Sequence, residues 1–151
     1  MPVRRLVRVG LAAAALLAAG ACQKPSPGVT IVTGGHSVHV AASNYCFHGK
    51  TLTSQAQCVA DGPRITTVKV RAGDTVGIDV DSELADTGWV VYDPVSKQNG
   101  EVHNDHYVSF PVDLGNAPAA FLEVHQVTGS GRSPSDLVRV LGIWRFQLVE
   151  R

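Results

Sequence analysis

This sequence is poor in the groups that most redox and catalytic sites need. Its only methionine is Met1, and its 151 residues hold three cysteines, two tryptophans, three tyrosines and four phenylalanines. Without an internal methionine there is no axial thioether for the usual blue-copper centre. Phosphate-cradling loops and dinucleotide fingerprints are missing. So is the Gly-x-Ser-x-Gly nucleophile elbow, and Gly129-Ser130-Gly131 reads instead as a loop. Past the first eight residues no Lys/Arg cluster occurs, which leaves nothing to neutralise a phosphate backbone and argues against nucleic-acid binding. The longest apolar run, Val9 to Ala19, has 11 residues, well short of the about 20 a membrane-spanning helix requires. Helical signal is thin. Ser82-Glu83-Leu84-Ala85 and Ser133-Pro134-Ser135-Asp136-Leu137 each suggest a single turn, the second with Ser and Pro placed to start it.

What is present begins with an address. Arg4, Arg5 and Arg8 form a basic leader, the apolar run follows, and Ala19-Gly20-Ala21-Cys22 ends it with small residues and a cysteine. That is the layout of a secretory signal peptide. A cysteine directly after the small residues matches the lipobox of bacterial lipoproteins, although Ala19 stands where Leu is preferred. The Arg4-Arg5 pair suggests twin-arginine export only weakly, because Arg8 interrupts the residues that follow. The expected organisation is a signal peptide over 1–21, forming a detached helix, a lipid anchor and linker over 22–28, and one domain over 29–151. Lys24-Pro25-Ser26-Pro27-Gly28 reads as a spacer holding that domain off the membrane.

The cysteine count supports this reading. An odd cysteine in an exported chain needs an explanation, and lipid on Cys22 supplies it. Cys46 and Cys58 then remain as a disulfide pair in an oxidising compartment. A thiol metal site at Cys46-Phe47-His48 is the less favoured alternative. Loss of residues 1–21 removes three of the 13 basic residues and none of the 13 acidic ones, leaving a net charge of −3. Such a domain has no electrostatic reason to lie flat on anionic lipid.

From Val29 onward the pattern has period two. Val76, Ile78 and Val80 alternate with Thr75, Gly77 and Asp79. Val108, Phe110 and Val112 alternate with Tyr107, Ser109 and Pro111. Leu122 and Val124 alternate with Glu123 and His125. Val138, Val140, Trp144, Phe146 and Leu148 share one parity, opposed by Arg139, Arg145 and Gln147. Alternation of this kind marks strands with one buried and one wet face, the habit of antiparallel sheets. Gly34-Gly35 predicts a tight hairpin between residues 31–33 and 36–40. Arg71-Ala72-Gly73-Asp74 predicts a second between residues 64–70 and 75–80, and Asp93-Pro94 with Asn99-Gly100 marks a further turn. Seven or eight short strands with regular turns predict an all-β antiparallel sandwich, immunoglobulin-like or a related Greek key, with Trp89 and Trp144 in its core.

Five stretches together carry a family resemblance. They are the signal ending at Cys22, the hairpin opening at Val29, Tyr45-Cys46 with Cys58, the run Val68-Lys69-Val70 to Gly73-Asp74-Thr75-Val76-Gly77-Ile78-Asp79-Val80, and Leu84-Ala85-Asp86-Thr87-Gly88-Trp89-Val90-Val91-Tyr92. Over nearly its whole length the chain resembles a family of actinobacterial lipoproteins built on a domain of unknown function. The resemblance implies a surface lipoprotein. That family has no established activity, so it assigns no functional residue.

Six histidines are many for this length. His36 and His39 sit three apart on a strand and face opposite sides. His103 and His106, with Glu101 and Asp105 beside them and His125 further on, are weak candidates for Zn²⁺ or Cu²⁺. Two histidines on one loop without a fixed third ligand predict no metal site. Asp79, Asp81, Glu83 and Asp86 suggest Ca²⁺ more faintly still. No catalytic residue and no cofactor is expected. The sequence therefore predicts a non-enzymatic, lipid-tethered binding or structural module of the cell envelope, with an envelope protein, a peptide or a glycan as partner. A metal-handling lipoprotein using His103, His106 and His125 is the alternative.

Overall fold

A computed structural model describes residues 24–52, 58–60, 62–63, 65–128 and 139–151. The expected signal helix, Cys22, Gly129-Ser130-Gly131 and the turn at Ser133-Pro134 all lie outside these residues.

Two β-sheets pack face to face, as the alternation requires. The smaller contains β1 (Val29–Thr33), β2 (His36–Val40), β6 (Thr75–Val80) and β9 (Tyr107–Pro111), in the order β2-β1-β6-β9 and antiparallel throughout. The larger contains β3 (Asn44–Cys46), β4 (Cys58–Val59), β5 (Thr66–Val70), β7 (Trp89–Asp93), β8 (Gln98–Asn99), β10 (Ala119–Thr128) and β11 (Arg139–Glu150), in the order β4-β3-β11-β10-β7-β8. β5 extends this sheet along the far half of β11, and theirs is a parallel pairing. One short helix, α1 (Ser82–Thr87), lies between β6 and β7 and packs on β10.

The residues chosen by parity fill the space between the sheets. Val29, Ile31, Val76 and Ile78 from the smaller sheet, and Val68, Trp89, Val124, Trp144, Phe146 and Leu148 from the larger, are all buried. Gly34 and Gly35 have φ of 49° and 78°, the left-handed pair a two-residue turn demands, and they join β1 to β2 as expected. Cys46 and Cys58 face each other across β3 and β4 with their Cα atoms 4.1 Å apart and are disulfide-bonded, which clips the two-residue β4 to its neighbour.

Three expectations need correction. The turn at Arg71–Asp74 exists, closed by Asp74 N–H to Arg71 O at 3.0 Å and by Arg71 N–H to the Asp74 carboxylate at 2.9 Å. It does not make a hairpin, because β5 enters the larger sheet and β6 the smaller. Both strands still point their valines into the shared core, so alternation alone does not separate an arch between sheets from a hairpin within one. Second, Val140 leaves the parity of Trp144. The β10–β11 ladder runs from Gln126↔Gly142 to Val127↔Val140, so Leu141 is an extra residue that shifts every side chain before it to the other face. Third, the spacer is not free. Pro27 is buried and its carbonyl accepts the Trp144 indole N–H at 3.1 Å. Gly28 N–H donates to the Asp81 carboxylate at 2.6 Å, and Asp81 N–H returns a bond to Gly28 O at 3.1 Å.

Candidate functional site

The outward face of the larger sheet carries the most organised polar group of the molecule. Odd-numbered residues of β10 point outward, so Phe121, Glu123 and His125 stand in a row, with Arg145 and Gln147 of β11 on one side and Tyr92 and Val90 of β7 on the other. Glu123 is directly opposite both Arg145 and Tyr92. Its carboxylate accepts a bond from Arg145 Nε at 2.7 Å and another from His125 Nε2 at 2.6 Å. Arg145 Nη1 also donates to Asn44 Oδ1 at 3.2 Å. The His125 ring packs against Tyr92 with centroids 4.9 Å apart and planes inclined by 31°.

This network is largely desolvated for an outer sheet face. The Glu123 and His125 side chains retain 14% and 12% of their exposure, and that of Arg145 34%. Burial pushes the Glu123 carboxyl up, but the bonds from His125 and Arg145 outweigh it and hold the group below the ordinary carboxylate range.

Two shallow grooves flank the network. One, of about 350 Å³, is bounded by Ile65, Pro94, Val95, Phe121 and Leu122 and reaches Glu123 and Arg145. Among the described residues the exposed large hydrophobics are Ile65, Val95, Tyr107 and Phe121, and three of these four meet in this groove. The other, of about 430 Å³, is lined by Val90, Tyr92, Asn99, Gly100, Val102, His125, Val127 and Val140. The Leu141 bulge is what turns Val140 into it. From Phe121 to Val127 the strip covers six strand steps, roughly 20 Å.

An imidazole oriented by a carboxylate is part of the apparatus that activates a hydroxyl or thiol nucleophile. None of the described residues lining either groove is Ser, Thr or Cys. The arrangement is a fixed charged centre between two apolar depressions.

The histidines singled out from the sequence are dispersed. His103 forms an isolated bridge with Trp89, and its ring lies 5.0 Å from the Trp89 ring. His125 pairs with Val90, the next residue of β7. Adjacent strand residues face opposite ways, so His103 and His125 lie on opposite faces of the sheet. His106 continues the β6–β9 ladder, and its Nδ1 bonds the Val80 carbonyl at 3.1 Å. Among the described residues no three His, Cys, Asp or Glu side chains gather as metal ligands would.

Two of the four acidic candidates, Asp81 and Glu83, are engaged in bonds of their own. Asp81 holds the Gly28 amide. Glu83 accepts from Lys24 Nζ at 2.8 Å and from the Tyr45 hydroxyl at 2.5 Å. Those two bonds keep the Glu83 carboxyl below its ordinary range, while burial and the Glu83 bond raise the Tyr45 hydroxyl.

Sequence reasoning missed two features. Gln126 points inward among apolar residues, where its amide donates to Glu83 O at 3.1 Å and Thr87 Oγ1 at 2.8 Å of α1. The Glu123–Arg145 pair was in principle readable, because consecutive antiparallel strands pair residues equidistant from their connection. No family model matches the chain, and neither a curated protein nor a solved structure is significantly similar to it.

Proposed function

We propose that this chain is an exported, lipid-anchored binding module of the cell envelope, without enzymatic activity, whose partner lies along the outer face of the larger sheet. The observation that carries this reading is the convergence of Ile65, Val95 and Phe121 on one groove beside the desolvated Glu123–Arg145 pair. Scattered surface hydrophobics need no explanation, but a cluster rimmed by charge is the usual mark of a contact site. The strip suits an extended segment of another envelope protein, with apolar side chains in the two grooves and a polar group over Glu123 and Arg145.

Export is supported by the Cys46–Cys58 bridge, which points to an extracytoplasmic location because thiols stay reduced in the cytosol. Anchoring is supported by the leader sequence, by the resemblance to surface lipoproteins, and by Cys22 being the cysteine left over from the bridge. Among the described residues no helix is long and apolar enough to cross a membrane.

Affinity capture from envelope extract, comparing the native protein with a Phe121→Ser variant, tests the binding face. Phe121 is 40% exposed, so the substitution leaves folding largely intact. A partner held by the native protein and lost by the variant is the expected result; undiminished capture refutes the assignment of this face. Mass spectrometry of the membrane-extracted protein should find lipid on Cys22, and Cys22→Ala should release the domain from the membrane or leave it unprocessed.

A further inference from the structure

We propose that the free edge of β5 accepts an extended, acidic segment of a partner protein as an added strand of the larger sheet; this deepens the binding function proposed above and rests on it. One bond fixes which backbone groups that edge presents. Arg151 N–H donates to Val70 O at 2.9 Å, and Val70 is in register with Glu150 in the parallel β5–β11 ladder. Alternate residues of a strand bond to the same neighbour, so Thr66, Val68 and Val70 turn their N–H and C=O groups to β11. Thr67 and Lys69 turn theirs the other way. Among the described residues no second strand lies beside β5.

A cleft of about 340 Å³ opens at this edge, between Thr67, Val68 and Lys69 on one side and Thr33, His36 and Val38 on the other. β2 does not compete for the segment here. Thr33 and His36 close the two-residue Gly34-Gly35 turn, so His36 and Val38 turn their amides to β1. The cleft therefore opens on the bonding edge of β5 and not on that of β2. An added strand alternates like its neighbours. Side chains of one parity enter the cleft over Val38 and Val68, and the others stand outside beside Thr67 and Lys69.

A separate observation points to a ligand in the cleft. Thr33 is 2% exposed, and its hydroxyl is buried with no partner among the described residues. Such a group is costly to leave unpaired, and a hydroxyl or amide entering on an added strand satisfies it. Charge defines the segment further. β2 and β5 contain no acidic residue, and His36, Lys69 and Arg151 all line the cleft, whereas Glu150 of β11 does not. Carboxylates on the outward parity of the segment complement Lys69. The same lysine disfavours a second copy of this chain, because pairing two β5 strands about Val68 sets both Lys69 side chains on one face. Ile65 immediately precedes β5 and lines the groove beside Phe121, so a segment paired on β5 passes next to the proposed binding face.

The test uses the purified full chain with its disulfide intact and a capped peptide, Glu-Val-Glu-Thr-Glu-Val-Glu, beside a counterpart with Lys for every Glu. In the free protein the Thr67 and Lys69 amides should exchange hydrogen rapidly and those of Val68 and Val70 slowly. The acidic peptide at saturation should slow Thr67 and Lys69 by about tenfold or more, and the basic one should not. Lys69→Glu, at an exposed position, should reverse the preference. Thr67→Pro removes a donor that faces away from β11, so it should abolish protection at Lys69 and leave the urea midpoint close to that of the native protein. Slow exchange at Thr67 and Lys69 without peptide overturns the proposal, because the edge is then already covered, by a second copy if the protection grows with protein concentration. No protection by the acidic peptide, or equal protection by both, also overturns it. The two readings fail separately: undiminished capture by Phe121→Ser refutes the outer face, and the peptide measurements refute the edge.

Discussion

Replacing Trp144 tests the core and the clasp together. The side chain is fully buried, its ring lies 6.1 Å from that of Tyr45, and its indole N–H is bonded to Pro27 O. Truncation to Ala removes the largest block of apolar surface on β11 and leaves a cavity, a loss of about 3–5 kcal/mol for a buried large aromatic. It also strands the Pro27 carbonyl inside the protein, adding roughly 1–3 kcal/mol unless the segment peels away to let water in. A domain of this size has about 5–15 kcal/mol in total, so the variant should be near the limit of folding. With a urea dependence of about 2 kcal/mol per molar, the unfolding midpoint should fall by roughly 2 M if the segment peels away and by up to about 4 M if the carbonyl stays stranded. Trp144→Phe divides the effect. It keeps most of the packing and removes the donor, so it should cost about 1–3 kcal/mol and expose the amides of residues 26–28 to exchange before those of β1. A loss below about 1 kcal/mol for Trp144→Ala, outside the range for such truncations, would refute the placement of this residue as the keystone of the core.

Gly142→Ala should destabilise by about 1–3 kcal/mol, because an added Cβ would come within 2.8 Å of the buried Trp144 and Tyr45 rings, neither of which has room to move. Gly77→Ala meets first the ring of Tyr107, which is half-exposed and can swing outward, so the same denaturation assay should register a smaller loss than for Gly142→Ala. Stability should fall in acid. Glu123 and Glu83 are held below their ordinary value in the folded state, so their contribution is complete above the unfolded value of about 4.3 and is lost as pH drops through the folded values; Glu123→Gln should flatten the slope of unfolding free energy below about pH 4.3. Replacing Cys46 and Cys58 together by Ala should cost about 2–3 kcal/mol through the reopened loop, and a reductant should reproduce that loss in the native protein only.

The features legible in the sequence are those fixed by nearest neighbours. Alternation placed Val76, Ile78, Trp144, Phe146 and Leu148 inside, and two adjacent glycines placed the β1–β2 turn. The features that were not legible depend on partners distant in the chain. Whether β5 and β6 form a hairpin is decided by β5 finding the edge of β11, some eighty residues on. Val140 turns outward because a single extra residue at Leu141 breaks the period, and no composition signal marks that bulge. Gln126 falls on the inward parity of β10 and looks like an error until Thr87 and the Glu83 carbonyl are brought to it by α1. The linker reads as free from its Pro, Ser and Gly, and its capture requires an indole and a carboxylate that local sequence does not contain. The Glu123–His125–Arg145 network is a mixed case, because the Glu123–Arg145 pairing follows from consecutive antiparallel strands but its desolvation does not. Its members look like ordinary wet-face residues, and the packing around them turns three polar side chains into one desolvated group.

β11 joins the two ends of the proposed function. Trp144 reaches inward to hold the segment that leads to the proposed anchor, and its neighbour Arg145 reaches outward to hold Glu123 on the proposed binding face. Alternation puts these two tasks on opposite sides of one strand, and that strand is flanked on both edges, by β10 and by β3 and β5. Load arriving through the proposed tether would meet a similar arrangement. It enters β1, which lies between β2 and β6, so force directed along the chain must shear two hydrogen-bonded ladders at once and has no free edge to peel. A tether attached to an edge strand such as β2 or β9 would open the sheet one bond at a time. The clasp at Pro27 and Gly28 adds to this by carrying force into Trp144 and Asp81 before it reaches the ladder. A partner seated along β10, as proposed, would pull on a strand paired along both edges, by β7 and by β11.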